Sequence, residues 1–468
     1  MRFVSSSEFQ VSDFVFRVSD FVFRISYFVF RISDFEFRIC FTPKPMIEIK
    51  PIKVPINATV TVPGSKSYTN RALITAALAS GESVITNALF SDDTRYMASS
   101  LNTLGIPTEE KPDSNSFIIR GKGGVIPARQ ANLFVGNAGT AMRFLTALLT
   151  LGHGVYEIDG IERMRERPIQ DLLDGLKQLG AEAASRHKNG CPPVTILGKG
   201  LSGGTAVVKG DLSSQYFSAL FMAAPYARND VVLKVKGDLV SRRYVDMTID
   251  LMRRFGVTVE NNGYETFFIK SGQRYHPMRY EVEADASAAS YFFAIAAITG
   301  GKVRVAGIGS DSLQGDVHFV DVLKAMGCKV AIGADWTEVE GGALRGVDVD
   351  MGDMPDVVQT LAAVAVFAKG KTRVRNVKNM RIKETDRITA VVNELRRMGV
   401  SAVEFEDGLE IEPSPPQPAQ IETYDDHRMA MSFALVGLRA PGIVIKHPEC
   451  VSKTFPDYFQ RLEALRAR

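Results

Sequence analysis

The chain has 468 residues, more than one ordinary core accommodates and enough for two or three domains of about 150 residues each. Hydrophobic residues make up 45% and charged residues 23%, a globular mix that excludes a largely disordered chain. The 56 basic residues face 53 acidic ones, so the net charge of +3 gives no general attraction to nucleic acid or an anionic membrane, and any handling of anions must come from local clusters.

The first segment, residues 1–45, carries a tandem seven-residue repeat: VSDFVFR, VSDFVFR, ISYFVFR and ISDFEFR. Its alternating Phe-Val-Phe-Arg suits a strand, while phenylalanines at period seven could mimic a heptad. The segment lacks the uninterrupted apolar core of a signal peptide, and Asp13, Asp20 and Asp34 argue against a transit peptide. The expectation is a repetitive tract outside the fold, with no catalytic role and with the domain beginning near Met46. The four cysteines (Cys40, Cys191, Cys328, Cys450) form no CxxC pair and the six histidines are scattered, which predicts no dedicated metal site and a reducing, cytoplasmic setting. The longest apolar stretches, ASYFFAIAAITG and LAAVAVFA, fall short of the ~20 residues that span a bilayer.

From Met46 onward two kinds of segment alternate. One is a β-rich run, a loop and an amphipathic helix, closed in five copies by Gly105, Gly180, Gly256, Gly327 and Gly399, where a helix takes a left-handed C′ residue. The other is a small polar cluster followed by an almost wholly apolar helix. Its six versions begin at Lys66, Gly139, Ser213, Asp285, Asp356 and Asp426, spaced by 70 to 74 residues. A helix apolar on nearly all faces must be buried, so these six are expected inside, with the amphipathic helices outside against sheets. Their Ser, Asp, Asn and Gly starts are good caps. If three such helices run parallel in each domain, their N-termini converge on one face that attracts anions.

The polar starts differ in chemistry. GSKS brings Lys66 and hydroxyls, with Arg71 one turn on; SSQ brings two hydroxyls and an amide; MPD and DDHR bring carboxylates, the latter beside His427 and Arg428. Loops of the other series add Arg167, Lys383, Glu384, Arg387 and Lys453. Many cations with few carboxylates describe a cleft for ligands carrying several negative charges. GSKS lacks the GxxxxGK[ST] spacing of a phosphate loop, and no GxSxG elbow or Cys–His pattern supports covalent hydrolysis.

The segments PGSKSYTNRAL, GNAGTAMR, RMRERPI, SSQYFSALFMAAP, MPDVVQTLA, RIKETDRI, YDDHRMAM and SKTFPDYF, in that order over about residues 46–468, resemble the 5-enolpyruvylshikimate-3-phosphate synthase family. The resemblance implies an α/β fold: a two-domain inside-out α/β barrel of six βαβαββ repeats, three per domain. One domain would comprise 46–64 plus 284–468, the other 65–283, with the active site in the cleft between them. It also implies transfer of the enolpyruvyl group of phosphoenolpyruvate to the 5-hydroxyl of shikimate 3-phosphate, in the shikimate pathway to chorismate and the aromatic amino acids. No cofactor or metal is implied, and the expected partners are the two substrates alone, bound by a monomer, with no nucleic acid or membrane.

Carried over residue by residue, Lys66, Ser67, Arg71, Ser213, Ser214, Gln215, Ser241, Tyr244, Asp356, Asn379 and Lys383 would hold shikimate 3-phosphate. Phosphoenolpyruvate would lie against Lys66, Asn137, Gly139, Arg167, Gln215, Arg387, Arg428 and Lys453. Asp356 would accept the proton of the attacking hydroxyl, Glu384 would donate one to the methylene carbon, and Lys66 would touch both ligands; Asp426 and His427 would support them. Two alternatives remain at this point. UDP-N-acetylglucosamine enolpyruvyl transferase has the same fold, but its loop cysteine has no counterpart between Cys40 and Cys191. A non-catalytic repeat protein that binds a phosphorylated ligand would not need Lys66, Asp356, Glu384 and Arg428 together. One departure from the family stands out. Phe144 follows GNAGTAMR where many members have proline, and the resemblance implies that this change shifts the helix and weakens inhibition by glyphosate, a herbicide of the phosphoenolpyruvate pocket.

Overall fold

The computed structural model describes residues 15–18, 21–24, 27–32, 35–40 and 45–466. Residues 1–45 form a unit of their own, in which Val15–Val18 pairs antiparallel with Phe21–Arg24, and Tyr27–Ile32 with Phe35–Cys40. The repeat thus adopts its period of two rather than its period of seven. Asp13, Asp20 and Asp34 lie outside the described residues.

In the second unit, residues 46–468, the helices follow in chain order as α1 (Lys66–Leu78), α2 (Asp92–Thr103), α3 (Gly139–Leu149), α4 (Gln170–Gln178), α5 (Ser214–Ala223) and α6 (Arg242–Arg254). After them come α7 (Ala286–Thr299), α8 (Phe319–Met326), α9 (Val358–Ala365), α10 (Arg387–Arg397), α11 (His427–Gly437) and α12 (Tyr458–Arg466). The odd-numbered helices are the apolar series. Every residue of α3, α9 and α11 is buried, and so is nearly all of α1, α5 and α7. The even-numbered helices bury one face only: α6 turns Val245, Met247, Thr248, Leu251 and Met252 inward and leaves its arginines outside. Gly105, Gly180, Gly256, Gly327 and Gly399 close the preceding helices at φ between 75° and 114°, a region that a residue without Cβ enters freely.

The buried apolar side chains fall into two clusters. One gathers residues from Tyr68 to Val282, where α1 packs on α3 and α3 on α5; the other gathers Ile49, Ile56 and Val62 with Ala284 to Leu465, where α7, α9 and α11 pack on one another. Sheets surround these helices. In five four-stranded sheets one pair of strands is parallel and the rest antiparallel, as in Gln130–Phe134, His153–Asp159, Val194–Lys199 and Glu182–Ser185. The sixth sheet has three strands, and its edge is Met46–Ile49 paired with Ile443–Lys446 from the other end of the chain. Likewise Asn57–Thr61 lies parallel to Lys302–Ala306, and Arg279–Glu281 to Ser80–Thr86.

These long-range pairings bring the two crossings between the clusters side by side. Gly64 bridges Ala284, the Ser65 N–H donates to the Glu283 carbonyl at 2.8 Å, and the Asp285 N–H donates to the Pro63 carbonyl at 2.8 Å. A Cβ at Gly64 would stand 1.8 Å from the Asn87 carbonyl oxygen, so the crossing admits only glycine.

Candidate active site

The starts of α1, α3, α5 and α11 and the turn ahead of α9 line a common cleft, whereas the start of α7 lines a smaller hollow beside it. Four are capped by a side chain: Ser65 accepts from the Tyr68 N–H, Ser213 from Gln215, Asp285 from Ala288 and Asp426 from Arg428. The other two starts carry no side-chain cap. Gly139 opens α3 with no side-chain cap, and a Cβ there would come within 2.7 Å of the Arg167 guanidinium, so the glycine makes room for a cation. Asp356 sits in a 3-10 turn, Pro355–Val357, ahead of α9 and caps nothing. Its carboxylate is left for side chains.

The cleft is lined by Lys66, Ser67, Arg71, Gly139, Arg167, Ser213, Ser214, Gln215, Ser241, Tyr244, Asp356, Asn379, Lys383, Glu384, Arg387 and Arg428 from the sequence reading. Asp93, Thr140, Arg143, Leu212, Tyr216 and Ile382 complete it. Asn137 and Lys453 stand just behind this lining: Lys453 donates to the Asn137 carbonyl at 2.8 Å, and Arg167 donates to the Asn137 carbonyl and side-chain oxygens at 3.0 Å each. Among the lining side chains seven are cationic and three are carboxylates, an excess that favours ligands with several negative charges.

Arg387, essentially unexposed, is the centre of the acidic groups. It reaches Asp426 at 2.7 Å, Glu384 at 2.9 Å and Asp356 at 3.0 Å. The sequence reading placed it against phosphoenolpyruvate; here most of its donors are engaged by protein carboxylates. Asp356 also receives Arg428 at 3.0 Å, the Tyr244 hydroxyl at 3.2 Å and, more loosely, Lys383 at 3.6 Å. Burial pushes the Asp356 carboxyl up, but Arg428, Lys383 and Arg387 outweigh it and hold the group well below the usual carboxylate range. Glu384 behaves alike: burial opposes ionisation, and Arg387, Arg167, Lys453 and Lys66 enforce it. Both groups are carboxylates at neutral pH. Burial and the neighbouring Lys66 and Arg428 keep His427 neutral, so its 3.6 Å approach to Asp426 is no ion pair, and neither ring nitrogen has a hydrogen-bond partner among the described residues.

On the opposite wall Arg71 is buried among neutral acceptors. It donates to the Thr248 hydroxyl at 2.7 Å, the Ser67 carbonyl at 3.0 Å, the Tyr244 carbonyl at 3.2 Å and the Ser218 hydroxyl at 3.3 Å, and it lies 5.3 Å from the centre of the Phe144 ring. Burial lowers its pKa to about 10, which leaves it charged at neutral pH. Beside the cleft is a smaller hollow lined by Asp285, Ser287, Tyr291, Asp316 and Arg428 among others. Ser287 joins Asp316 to Arg428, and burial together with the Asp356 charge pushes the Asp316 carboxyl up to about 7.

Sequence reasoning missed Asp93, which meets Lys453 at 2.7 Å and Lys66 at 3.5 Å. The acidic pair in SDDTRY at the start of α2 was the available signal, but it reads as an ordinary first-turn preference. It also missed Arg143, buried beside Gly139 and Arg167, and Arg163 in RMRERPI. Among the described residues no group of three or more His, Cys, Asp or Glu is arranged to hold a metal, and no helix is long and apolar enough to cross a membrane.

The comparisons with known proteins agree with one another. The chain is 53% identical over 416 residues to the 3-phosphoshikimate 1-carboxyvinyltransferase of Nostoc punctiforme, covering 89% of this chain and 98% of the relative. It is 50% identical over 422 residues to the enzyme of that name from Shewanella piezotolerans, covering 90% and 99%. Its fold matches the solved EPSP synthase of Acinetobacter baumannii with a TM-score of 0.76 at 27% identity, covering 90% of this chain and 98% of that one. The enolpyruvyl transferase NikO of Streptomyces tendae, at 18% identity and a TM-score of 0.68, shares the two-domain α/β fold. The model of the EPSP synthase (3-phosphoshikimate 1-carboxyvinyltransferase) family matches residues 51–462, and the chain belongs to that family.

Proposed function

We propose that this protein transfers the enolpyruvyl group of phosphoenolpyruvate to the 5-hydroxyl of shikimate 3-phosphate and releases phosphate. Family membership and the names of relatives near 50% identity support the activity. The observation that carries the mechanism is a pair of buried, ionised carboxylates, Asp356 and Glu384, set in a cleft where cations outnumber acids.

In this reading shikimate 3-phosphate lies along Ser67, Arg71, Ser213, Ser214, Ser241, Asn379 and Lys383, beside Tyr244. Phosphoenolpyruvate lies against Lys66, Gly139, Arg167, Gln215 and Arg428, backed by Asn137 and Lys453. Asp356 takes the proton of the attacking hydroxyl, whose oxygen bonds to C2 of phosphoenolpyruvate while C3 gains a proton. In the second half C3 loses a proton and the C2–O bond to phosphate breaks. Glu384 is the proton donor of the first half, yet the protein's own cations hold it ionised. Bound phosphate and carboxylate groups offset those cations, so ligand binding itself raises the affinity of Glu384 for a proton. Arg387, tied to three carboxylates, acts by holding Asp356 and Glu384 in place more than by gripping a ligand.

The division into 46–64 plus 284–468 and 65–283, closing as a monomer on both ligands in the cytoplasm, completes the reading, which gives residues 1–45 no role. UDP-N-acetylglucosamine is the disfavoured acceptor, since the matching family and relatives carry the shikimate name. A phosphate-release assay tests the proposal: release is expected with phosphoenolpyruvate and shikimate 3-phosphate together and with neither alone. Release with UDP-N-acetylglucosamine instead, or none with either acceptor, overturns it.

A further inference from the structure

Arg163 belongs to no ligand set described above, yet its side chain donates four hydrogen bonds to the facing main chain. It stands in the 3-10 turn Glu162–Glu166, four residues ahead of Arg167, and is anchored on its own side by Glu166 at 2.8 Å. From there its guanidinium reaches the main chain of the opposite wall. Nε donates to the carbonyls of Glu384 at 3.2 Å and Lys383 at 3.3 Å; Nη2 donates to Lys383 at 3.0 Å and, at the limit of hydrogen-bonding range, to Arg381 at 3.5 Å.

The acceptors matter. Lys383 and Glu384 lie between the 3-10 turn Lys378–Ile382 and α10, in a stretch without regular structure. Among the described residues their carbonyls accept no backbone N–H. A helical segment would fix its residues through its own ladder; these two are fixed from across the cleft, by the one side chain whose planar fork can serve several carbonyls at once. Their side chains are the cation beside Asp356 and the carboxylate between Arg387 and Lys453.

We infer that Arg163 is a positioning residue that sets the main chain of Lys383 and Glu384, so that closing the cleft and aiming these two side chains are a single event. The inference rests on the proposed function for its catalytic consequence but not for its geometry. The turn that holds Arg163 leads directly into Arg167, whose side chain lines the cleft, so one turn serves the ligand pocket and grips the facing wall.

Two measurements on the full chain test it. Hydrogen exchange without ligand judges the geometry: in Arg163→Ala the segment 381–386 should exchange faster while the rest keeps its protection, and an unchanged segment overturns the inference whatever the activity. Steady-state kinetics judges the consequence. A displacement of about 1 Å at catalytic groups costs up to ~10²-fold, so kcat in Arg163→Ala should fall by ~10- to 100-fold with KM for shikimate 3-phosphate changed much less. Arg163→Lys, which keeps the charge but can serve fewer carbonyls, should recover part of kcat and is the variant of choice if Arg163→Ala folds poorly. Wild-type kcat in both variants, or a loss that follows melting temperature alone, overturns the inference. Absence of two-substrate phosphate release in the wild-type protein overturns the proposed function instead, and the exchange measurement still judges Arg163.

Discussion

On the wall of the cleft that carries Arg71, Arg143 and Arg167, these three find carbonyls, hydroxyls, one amide and the Met164 sulfur as partners and, among the described residues, no carboxylate within ion-pair distance. On the facing wall, Arg387, Arg428 and Lys383 share Asp356, Glu384 and Asp426. The first wall therefore offers positive charge to an incoming anion. The second uses its cations internally, to hold two acids ionised in a buried place where ionisation is otherwise costly. On the proposed function the first wall contributes mainly to affinity and the second mainly to chemistry, although Asn379, Lys383 and Arg428 of the second also line the cleft, and substitutions should separate accordingly.

The largest effect is expected on the second wall. Asp356→Asn removes the proposed proton acceptor and leaves Arg387, Arg428 and Lys383 without their shared charge. A loss of general-base catalysis amounts to ~10²–10⁴-fold, so kcat should drop by that order while shikimate 3-phosphate still binds, as calorimetry can show. An equal loss of binding would mean that the walls do not divide the work. On the first wall Arg71→Lys keeps the charge but gives up the fork that spans Thr248, Ser67, Ser218 and Tyr244. KM for shikimate 3-phosphate should rise by about tenfold with kcat little changed, which is the signature of lost binding common to ground and transition states. A fall in kcat with KM unaltered would reverse the assignment of that wall.

Much of this division was readable in the sequence. The inner helices announced themselves because burial on every face is a property of a single segment, and so did the five closing glycines, because a left-handed residue is a local demand. Arg71 and Arg167 of the first wall were named from their motifs, whereas Arg143 was not. Nor were the pairings. Asp93 meets Lys453 across 360 residues, and Arg163 meets Glu384 across 221; no local pattern marks either partner, and an arginine on a loop reads as a solvated one. Asp356 was named from its motif, but its partners were not: the convergence of Arg387, Arg428 and Tyr244 on its carboxylate comes from three separate stretches of chain and leaves no local mark.

A third test concerns the smaller hollow beside the cleft. Asp316 ionises near 3.8 when exposed and near 7 in the fold, where it faces Asp356, Asp285, Arg428 and the Ser287 hydroxyl. Between those values the folded protein keeps a proton that the unfolded chain releases, so this stabilising contribution is full in acid and lost as pH rises through 7. Asp316→Asn cannot ionise. Its stability relative to wild type should therefore rise from pH 5 to pH 8, by about 1–3 kcal/mol. Urea unfolding at the two values measures this, and parallel pH dependences would show that Asp316 does not hold the proton.

The smallest effect is expected at Phe144. The family resemblance led us to expect that its replacement of proline changes the phosphoenolpyruvate pocket and glyphosate inhibition. The structure adds a contact on the other ligand's side: the buried Phe144 ring lies under Arg71, the cation of the first wall, while Gly139 at the helix start faces Arg167. A cation over an aromatic face is stabilised by about 0.5–1 kcal/mol, a factor of roughly two to five in affinity if it is lost. Two variants separate the routes. Phe144→Leu removes the ring and keeps the helix N–H; Phe144→Pro removes both, and proline within α3 also presses on the preceding turn. If the ring acts by holding Arg71, both variants should raise KM for shikimate 3-phosphate two- to fivefold, and only Phe144→Pro should alter glyphosate inhibition relative to affinity for phosphoenolpyruvate. If the leucine variant matches wild type in KM, the ring contributes nothing to the first wall, and the effect of this position lies in the helix backbone alone.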